Sequence, residues 1–363
     1  MCSYQIRALA LHLALEDLED YGRVEEAVSK LVEVAGKVQD SLGANIRTLR
    51  LILPYFEDVK RHGGSILDKV LDLAESEEVN YVAVPLKRLD KRSRSELLDA
   101  LERERFFTSI GYVEGLEEEV ATFLRLAEER HGWFSGVRIG VCFGPRPETP
   151  YFPITVSKRR GLSASLLYPS FLLVEMKKGA TISEAIRELS AKVQSVISRA
   201  CSEVGIHFLG LDISLSPWME DSVAQVVERV CGCRVPSYGT YHAIHAINKS
   251  LEEISHTLPT IGYNEVMLPL AEDNTLKERA REGPLRFSDL IRLVTACVAG
   301  LDMVPIPSWT DPKVLEGIIR DLAAMAEVKR KPVGLRLIPV DIEGGEEVDF
   351  GIFGKTPVLD PLL

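Results

Sequence analysis

The chain has 363 residues, 46% hydrophobic and 27% charged, with a mean hydropathy of +0.04. That is enough for a large core in one large domain or two ordinary ones, and too apolar for a disordered chain. A net charge of −11 and a pI near 5.3 argue against nucleic acid as a main partner, because phosphate contacts need a basic surface.

The elements alternate. A strand over 4–15 is followed by a helix over 24–43, a strand over 45–54, a helix over 65–79 and a strand over 81–87. A helix over 93–105 starts at a serine cap; a strand over 106–112, a helix over 116–132 and a strand over 136–144 complete this half. The apolar N-terminus has Arg7 before it and acidic residues after it, so it reads as a first strand, not a signal peptide. No apolar run reaches the ~18 residues of a membrane span, so a cytoplasmic protein with no membrane partner is expected. Residues 145–170 hold five prolines and no helical period, and a loop this long in a compact domain is more often functional than idle. Its basic run, 157–161, reads as a solvated turn.

A long helix over 181–205 then opens with a Thr181–Glu184 capping box. A strand over 206–216 follows, then helices near 219–231 and 240–255, a strand over 264–270 and helices over 274–282 and 286–300. A strand over 301–306 leads to a helix over 311–329, capped by Asp311 with Pro312 in its first turn. A strand over 333–340 is the last clear element; the tail from 348 reads as irregular. Repeated βα units predict an α/β fold with a mainly parallel sheet or barrel, with ligands beyond the carboxyl ends of the strands.

Two stretches, "GLDISLSP" and "GLDMVPIP", each bring an aspartate, Asp212 and Asp302, to an apolar segment. A buried carboxylate costs several kcal/mol unless paired, so each either bonds neighbouring backbone amides or serves as acid, base or ligand clamp. Glu272, Asp273 and Asn274 fall at a strand-to-helix junction, where Asp273 or Asn274 caps the helix and Glu272 is free to face a site. Arg336 in a buried strand reads as an ion-pair partner for a buried aspartate or as an anion clamp. Cys297 ends an apolar helix just before Gly300-Leu301-Asp302, as a core thiol or a nucleophile. Cys231, Cys233, His242 and His245 suggest zinc, but Cys-x-Cys is not the usual knuckle spacing and the histidines read as core. The six cysteines do not form a disulfide framework. "DFGIFGKT" lacks the glycine spacing of a phosphate loop, and no Rossmann fingerprint occurs. Five Asn and four Gln among many charged residues suit a hot-living source.

Taken in order, "GLDISLSP", "MLPLAEDNTLKERAREG", "CVAGLDMVPIPSWT", "GLRLIPV" and "VDFG" resemble the domain-of-unknown-function 711 family, also called uncharacterised protein family 0210, from about residue 140 to the end. The resemblance implies a fold similar to pyruvate formate-lyase, a closed ten-stranded β/α barrel with a central pocket, and supplies no activity. Positions matching the family are Asp212, Glu272, Asp273, Asn274, Cys297, Gly300, Asp302 and Arg336, with a loop of Thr149, Pro150, Tyr151, Phe152 and Pro153. Val298 and Ala299 stand where the family has Gly-Thr, which weakens the case for Cys297, and Trp309 replaces an aspartate. Adjacent active-site cysteines and a C-terminal glycyl-radical loop are missing, so radical chemistry is not implied.

The expectation is one α/β domain over 1–363, with N-terminal βα units over 1–135 and the site within 136–363. The function expected is an enzyme of unassigned reaction on a small polar or anionic molecule in a barrel pocket. Asp212, Asp302 and Cys297 are the catalytic candidates, Thr149, Tyr151, Glu272, Asp273, Asn274 and Arg336 the ligand contacts, and 149–153 a lid. The alternative is a non-catalytic ligand-sensing or scaffold protein whose acidic residues only pin loops. No cofactor is predicted, a divalent metal on the carboxylates is the lesser alternative, and the oligomeric state is left open.

Overall fold

A computed structural model describes residues 4–61, 65–297 and 300–363. Val298 and Ala299, within the helix expected over 286–300, lie outside the described residues, and the helix there runs only Phe287–Leu293. Nine strands form one sheet: β1 (Gln5–His12), β2 (Leu49–Ile52), β3 (Tyr81–Leu86), β4 (Phe106–Gly111), β5 (Ile139–Phe143), β6 (Gly161–Leu167), β7 (Phe208–Asp212), β8 (Leu301–Pro307) and β9 (Val333–Val340). Their order is β7-β6-β1-β2-β3-β4-β5-β9-β8. The five strands β1 to β5 are parallel, and the flanking pairs β6–β7 and β8–β9 run the opposite way.

Short, β-rich apolar runs make these strands, and capped amphipathic stretches make the helices between them. Asp20 accepts from the Gly22 amide at the start of helix Tyr21–Leu42, the Thr181–Glu184 box opens Ile182–Val204, and Asp311 accepts from the Lys313 amide at Pro312–Lys329. One face of the sheet (Leu9, Leu11, Leu51, Val84, Val141, Leu335) packs with the apolar stripes of these helices in one core. Each such buried side chain contributes about 1.5–3 kcal/mol.

The other face is concave. Glu272 bonds Arg7 on β1 and Arg336 on β9 at once. Those strands are five places apart in the sheet order, which in a flat sheet would separate them by about 24 Å. The sheet must therefore curl strongly. Residues 260–273 run beside β7, with parallel bridges Leu211–Thr260 and Leu215–Val266, but no ladder joins β7 to β8 among the described residues. The α/β expectation holds with nine strands.

Several expectations are corrected. Residues 145–170 are not all loop: "GLSASLL" is β6, whose small residues Ser163 and Ser165 hide the strand pattern, and helix Pro169–Lys177 follows it. Residues 264–270 make a single isolated bridge, Val266 to Leu215, because Pro269 and the turn at Leu270–Glu272 interrupt pairing. The tail contains a hairpin, Glu347–Asp349 with Lys355–Pro357. Residues 134–138 are helical before β5 begins. Cys231 and Cys233 form a disulfide at the end of helix Val223–Cys231, and His242 and His245 are exposed rather than core. No cluster of three His, Cys, Asp or Glu suited to a metal occurs among the described residues. Among these residues no helix is long and apolar enough to cross a membrane.

Candidate functional site

Three strands aim their residues by simple alternation. On β2, β3 and β4 the outward Leu51, Val82 and Phe106 leave Arg50, Tyr81 and Phe107 on the concave face. Two others need a bulge. The β1–β6 register shifts between Ile6 and Ala8, at Arg7; the β8–β9 register shifts between Asp302 and Val304, at Met303, which takes φ +54°. The extra residue keeps Ile6 and Leu9, and Leu301 and Val304, outward while Arg7 and Asp302 turn inward.

These residues line one cavity of about 500 Å³. It lies at the amino ends of β2 to β4, because Arg47, Thr48 and Asn80 immediately precede β2 and β3 and also line it. The expectation of a site at carboxyl ends holds only on the reversed side, where Ser216 and Trp218 follow β7. The antiparallel joins place opposite strand ends together.

The cavity holds four guanidinium groups, Arg7, Arg47, Arg50 and Arg336, against the carboxylates Glu272 and Asp302. Arg336 clamps Asp302 with Nε–Oδ1 at 2.5 Å and Nη2–Oδ2 at 3.0 Å, and reaches Glu272 Oε1 at 3.2 Å. Arg7 donates to Glu272 Oε2 and to the Pro217 carbonyl. Burial alone would raise the Glu272 carboxyl, but Arg7 and Arg336 outweigh it and hold it below its usual range. Burial pushes Asp302 up against the pull of Arg336.

Arg50 differs. It is buried, and its Nη1 donates to the Pro150 carbonyl at 2.9 Å and its Nε to Thr48 Oγ1 at 2.9 Å. No carboxylate lies within ion-pair distance of it among the described residues. Burial, with Arg7 next, depresses its guanidinium to about 10. Its Cζ lies 5.0 Å from the Phe152 ring centre and 5.7 Å from Tyr81. Arg47 stacks on Trp218 at 4.6 Å.

The expected site residues part company here. Glu272, Asp302, Arg336 and Tyr151 meet in the cavity. The Tyr151 hydroxyl lies 2.9 Å from Ser216 Oγ, and burial raises its pKa. Asp212 is fully buried behind the wall. It accepts from Thr149 Oγ1 (2.6 Å), Ser214 Oγ (2.6 Å) and the amides of Ser214, Tyr263 and Asn264 (3.0, 3.0 and 3.2 Å). Gly262 permits this: its φ is +85° and a Cβ there would lie 2.0 Å from Asp212 Oδ2. Thr149 thus holds Asp212 rather than lining the cavity.

Asp273 caps helix Asn274–Arg281 and also accepts from Ser222 Oγ and the Ala224 amide. Asn274 donates to Glu220 on the surface. Cys297 is fully buried outside the cavity, and burial pushes its thiol up to about 11. Residues 149–153 form a floor rather than a lid: Thr149 and Thr155 are hydrogen-bonded to each other, and Pro153 and Ile154 pack so closely on β5 that a Cβ at Gly140 would meet them within 3 Å.

Sequence reasoning missed Arg7, Arg47 and Arg50. Arg7 and Arg50 carry the same signal that singled out Arg336, a cation inside an apolar strand, whereas Arg47 carries none.

A family model described as uncharacterised ACR, DUF711, matches residues 3–351, so the likeness extends well before residue 140. A UPF0210 protein of Methanopyrus kandleri is 32% identical over 194 residues, covering 50% of this chain and 42% of its own length. One from Sulfurisphaera tokodaii is 25% identical over 388 residues, covering 96% of this chain and 85% of its own. One from Lachnospira eligens is 31% identical over 196 residues, covering 51% and 43%. The matched stretches thus span less than half the length of the first and third relatives.

Proposed function

The chain belongs to the DUF711 family, and we propose that it is an enzyme acting on a small anionic molecule held in the arginine-lined cavity. The observation that carries this is Arg50, a buried cation facing the cavity with no carboxylate partner among the described residues, in a protein of net charge −11. A bare buried charge is costly unless something neutralises it, and an anionic ligand supplies that. Arg7, Arg47 and Tyr151 share in binding. Asp302 and Glu272, fixed by Arg336, are the groups that exchange a proton with the ligand. The curled sheet acts as a barrel similar to that of pyruvate formate-lyase, with residues 260–273 filling the space between β7 and β8, and residues 1–363 form one domain around it.

The non-catalytic reading, a ligand-sensing protein, draws on one observation: Asp212 and Asp273 are both fully engaged by backbone amides and hydroxyls. It predicts saturable binding with no turnover of any bound anion.

Calorimetric titration with benzoate and inorganic phosphate tests the binding. Saturable binding of at least one, weakened at least tenfold in Arg50→Gln, is expected. If neither binds, or Arg50→Gln binds equally, the proposal fails.

A further inference from the structure

We infer that the ligand carries a phosphomonoester dianion attached to a planar ring. This rests on the anion-binding reading above and specifies its charge and shape.

The charge comes from pairing. Arg7 and Arg336 are matched by Glu272 and Asp302. Arg47 and Arg50 have no carboxylate within ion-pair distance among the described residues; the Arg47 guanidinium donates to Gln5 Oε1, at 3.3 Å. Arg50 is buried and Arg47 sits at the exposed rim of the cavity, so a dianion reaching both neutralises the buried charge and pairs the exposed one. Arg7 and Arg47 both stack on Trp218, at 5.6 and 4.6 Å, and Thr48 ties Arg7 to Arg50 by donating to the Arg7 carbonyl while accepting from Arg50 Nε. Arg7 thus links Arg47, on Trp218, to Arg50, and its charge acts on both. One compact dianion with several acceptor oxygens suits that better than two separated carboxylates, and guanidinium forks match phosphate oxygens. Asn80 also lines the cavity, with its Oδ1 taken by the Leu49 amide, which leaves its Nδ2 as the group free to donate.

The shape comes from two aromatic walls. Tyr81, Phe107 and Phe152 form a continuous cluster with centroids 4.8 and 5.7 Å apart. Trp218 and Phe353, 5.5 Å apart, form another. Arg50 stacks on the first wall, Arg7 and Arg47 on the second, and all five rings line the cavity. A ring on the phosphoryl group can lie along either wall, and 500 Å³ is within the range of ordinary ligand pockets.

The test titrates the full chain with phenyl phosphate, benzoate, inorganic phosphate and phthalate at pH 7.5. Phenyl phosphate should bind at least tenfold tighter than each of the others. Its affinity should fall severalfold at pH 5.5, where the phosphate loses its second charge (pKa about 6), while benzoate changes little. Arg47→Gln, at an exposed position that leaves folding intact, should weaken phenyl phosphate at least tenfold and remove most of this pH dependence. Benzoate binding as tightly refutes the dianion, inorganic phosphate binding as tightly refutes the ring, and phthalate binding as tightly refutes the phosphate. If none of the four binds, the anion-binding reading itself falls.

Discussion

Replacing Asp212 with alanine should strongly destabilise the protein without touching the cavity's chemistry. The carboxylate accepts three backbone amides, those of Ser214, Tyr263 and Asn264, and two hydroxyls, all inside the protein. The hydroxyls can rotate toward other acceptors; the amides cannot. Each stranded amide costs about 1–3 kcal/mol. Removing a carboxylate that burial already disfavours returns part of this, so the net loss should be about 3–5 kcal/mol, against a total of roughly 5–15 kcal/mol for a folded domain. Asp212→Asn keeps the volume and one acceptor oxygen, but turns an NH₂ toward the Tyr263 amide if Oδ1 is retained; its cost should be about 1–3 kcal/mol. Urea denaturation of the three proteins, followed by circular dichroism, measures the series. A loss below about 1 kcal/mol for Asp212→Ala, or native stability with anion binding abolished, would sink this account and restore Asp212 as a ligand-contacting group.

Other outcomes follow from the same structure. Glu272→Gln removes the carboxylate that competes for Arg7 and Arg336, so inorganic phosphate should bind severalfold tighter by calorimetry; weaker binding would mean that Glu272 orients the arginines rather than competing with the ligand. His12 is fully buried beside Ser163 Oγ, at 2.8 Å, and burial followed by the Arg159 charge holds its pKa down to about 3 from 6.5. Its folded pKa lies below its unfolded one, so the stability it preserves is complete above 6.5 and is lost as pH falls toward 3, by up to about 1.4 kcal/mol per pH unit. Comparing wild type with His12→Gln in urea at pH 7 and pH 5 should show a shallower decline in the variant, and an identical decline would refute the assignment. The Cys231–Cys233 disulfide closes a minimal loop, so Cys231→Ser with Cys233→Ser should cost under about 2 kcal/mol; a larger drop in denaturation midpoint would mean that the bridge holds more than its own turn.

The alternation of strands and capped helices was plain in the sequence because it is written in local periods of two and 3.6. The Thr181–Glu184 box and the Asp311–Pro312 start have only one natural reading, and both form. β6 was not legible, since its small and polar residues Ser163, Ala164 and Ser165 look like loop; Ser163 is instead hydrogen-bonded to the buried His12 of β1, its neighbour in the sheet. Conversely 264–270 has the composition of a strand, yet proline and the following turn leave it outside the ladder. The sequence predicts that Arg336 meets a buried aspartate, Asp212 or Asp302; it meets Asp302, while Asp212 is engaged elsewhere and Glu272, read only as free to face a site, is its second partner.

Asp212 and Asp302 show where such reasoning stops. Their Gly-Leu-Asp contexts are identical and both are buried, so composition cannot separate a carboxylate engaged by backbone amides from one facing a cavity. What separates them is register. Asp212 ends β7 against the turn at Gly262, where amides converge on it. Asp302, next to the outward Leu301, faces inward beside its register partner Arg336, and the bulge at Met303 returns Val304 outward. β1 carries a bulge of its own at Arg7. A one-residue slip reverses the face of a strand side chain, and the bulge is fixed by pairing with a strand distant in sequence. Deleting Met303 would close β8 into the regular register Asp302–Arg336, Val304–Leu337, so Asp302 should keep its bond to Arg336; a lost bond would mean that the bulge itself aims the carboxylate. What aims Asp302 is its place beside Arg336, 34 residues further along the chain, a pairing that the local Gly-Leu-Asp context does not contain.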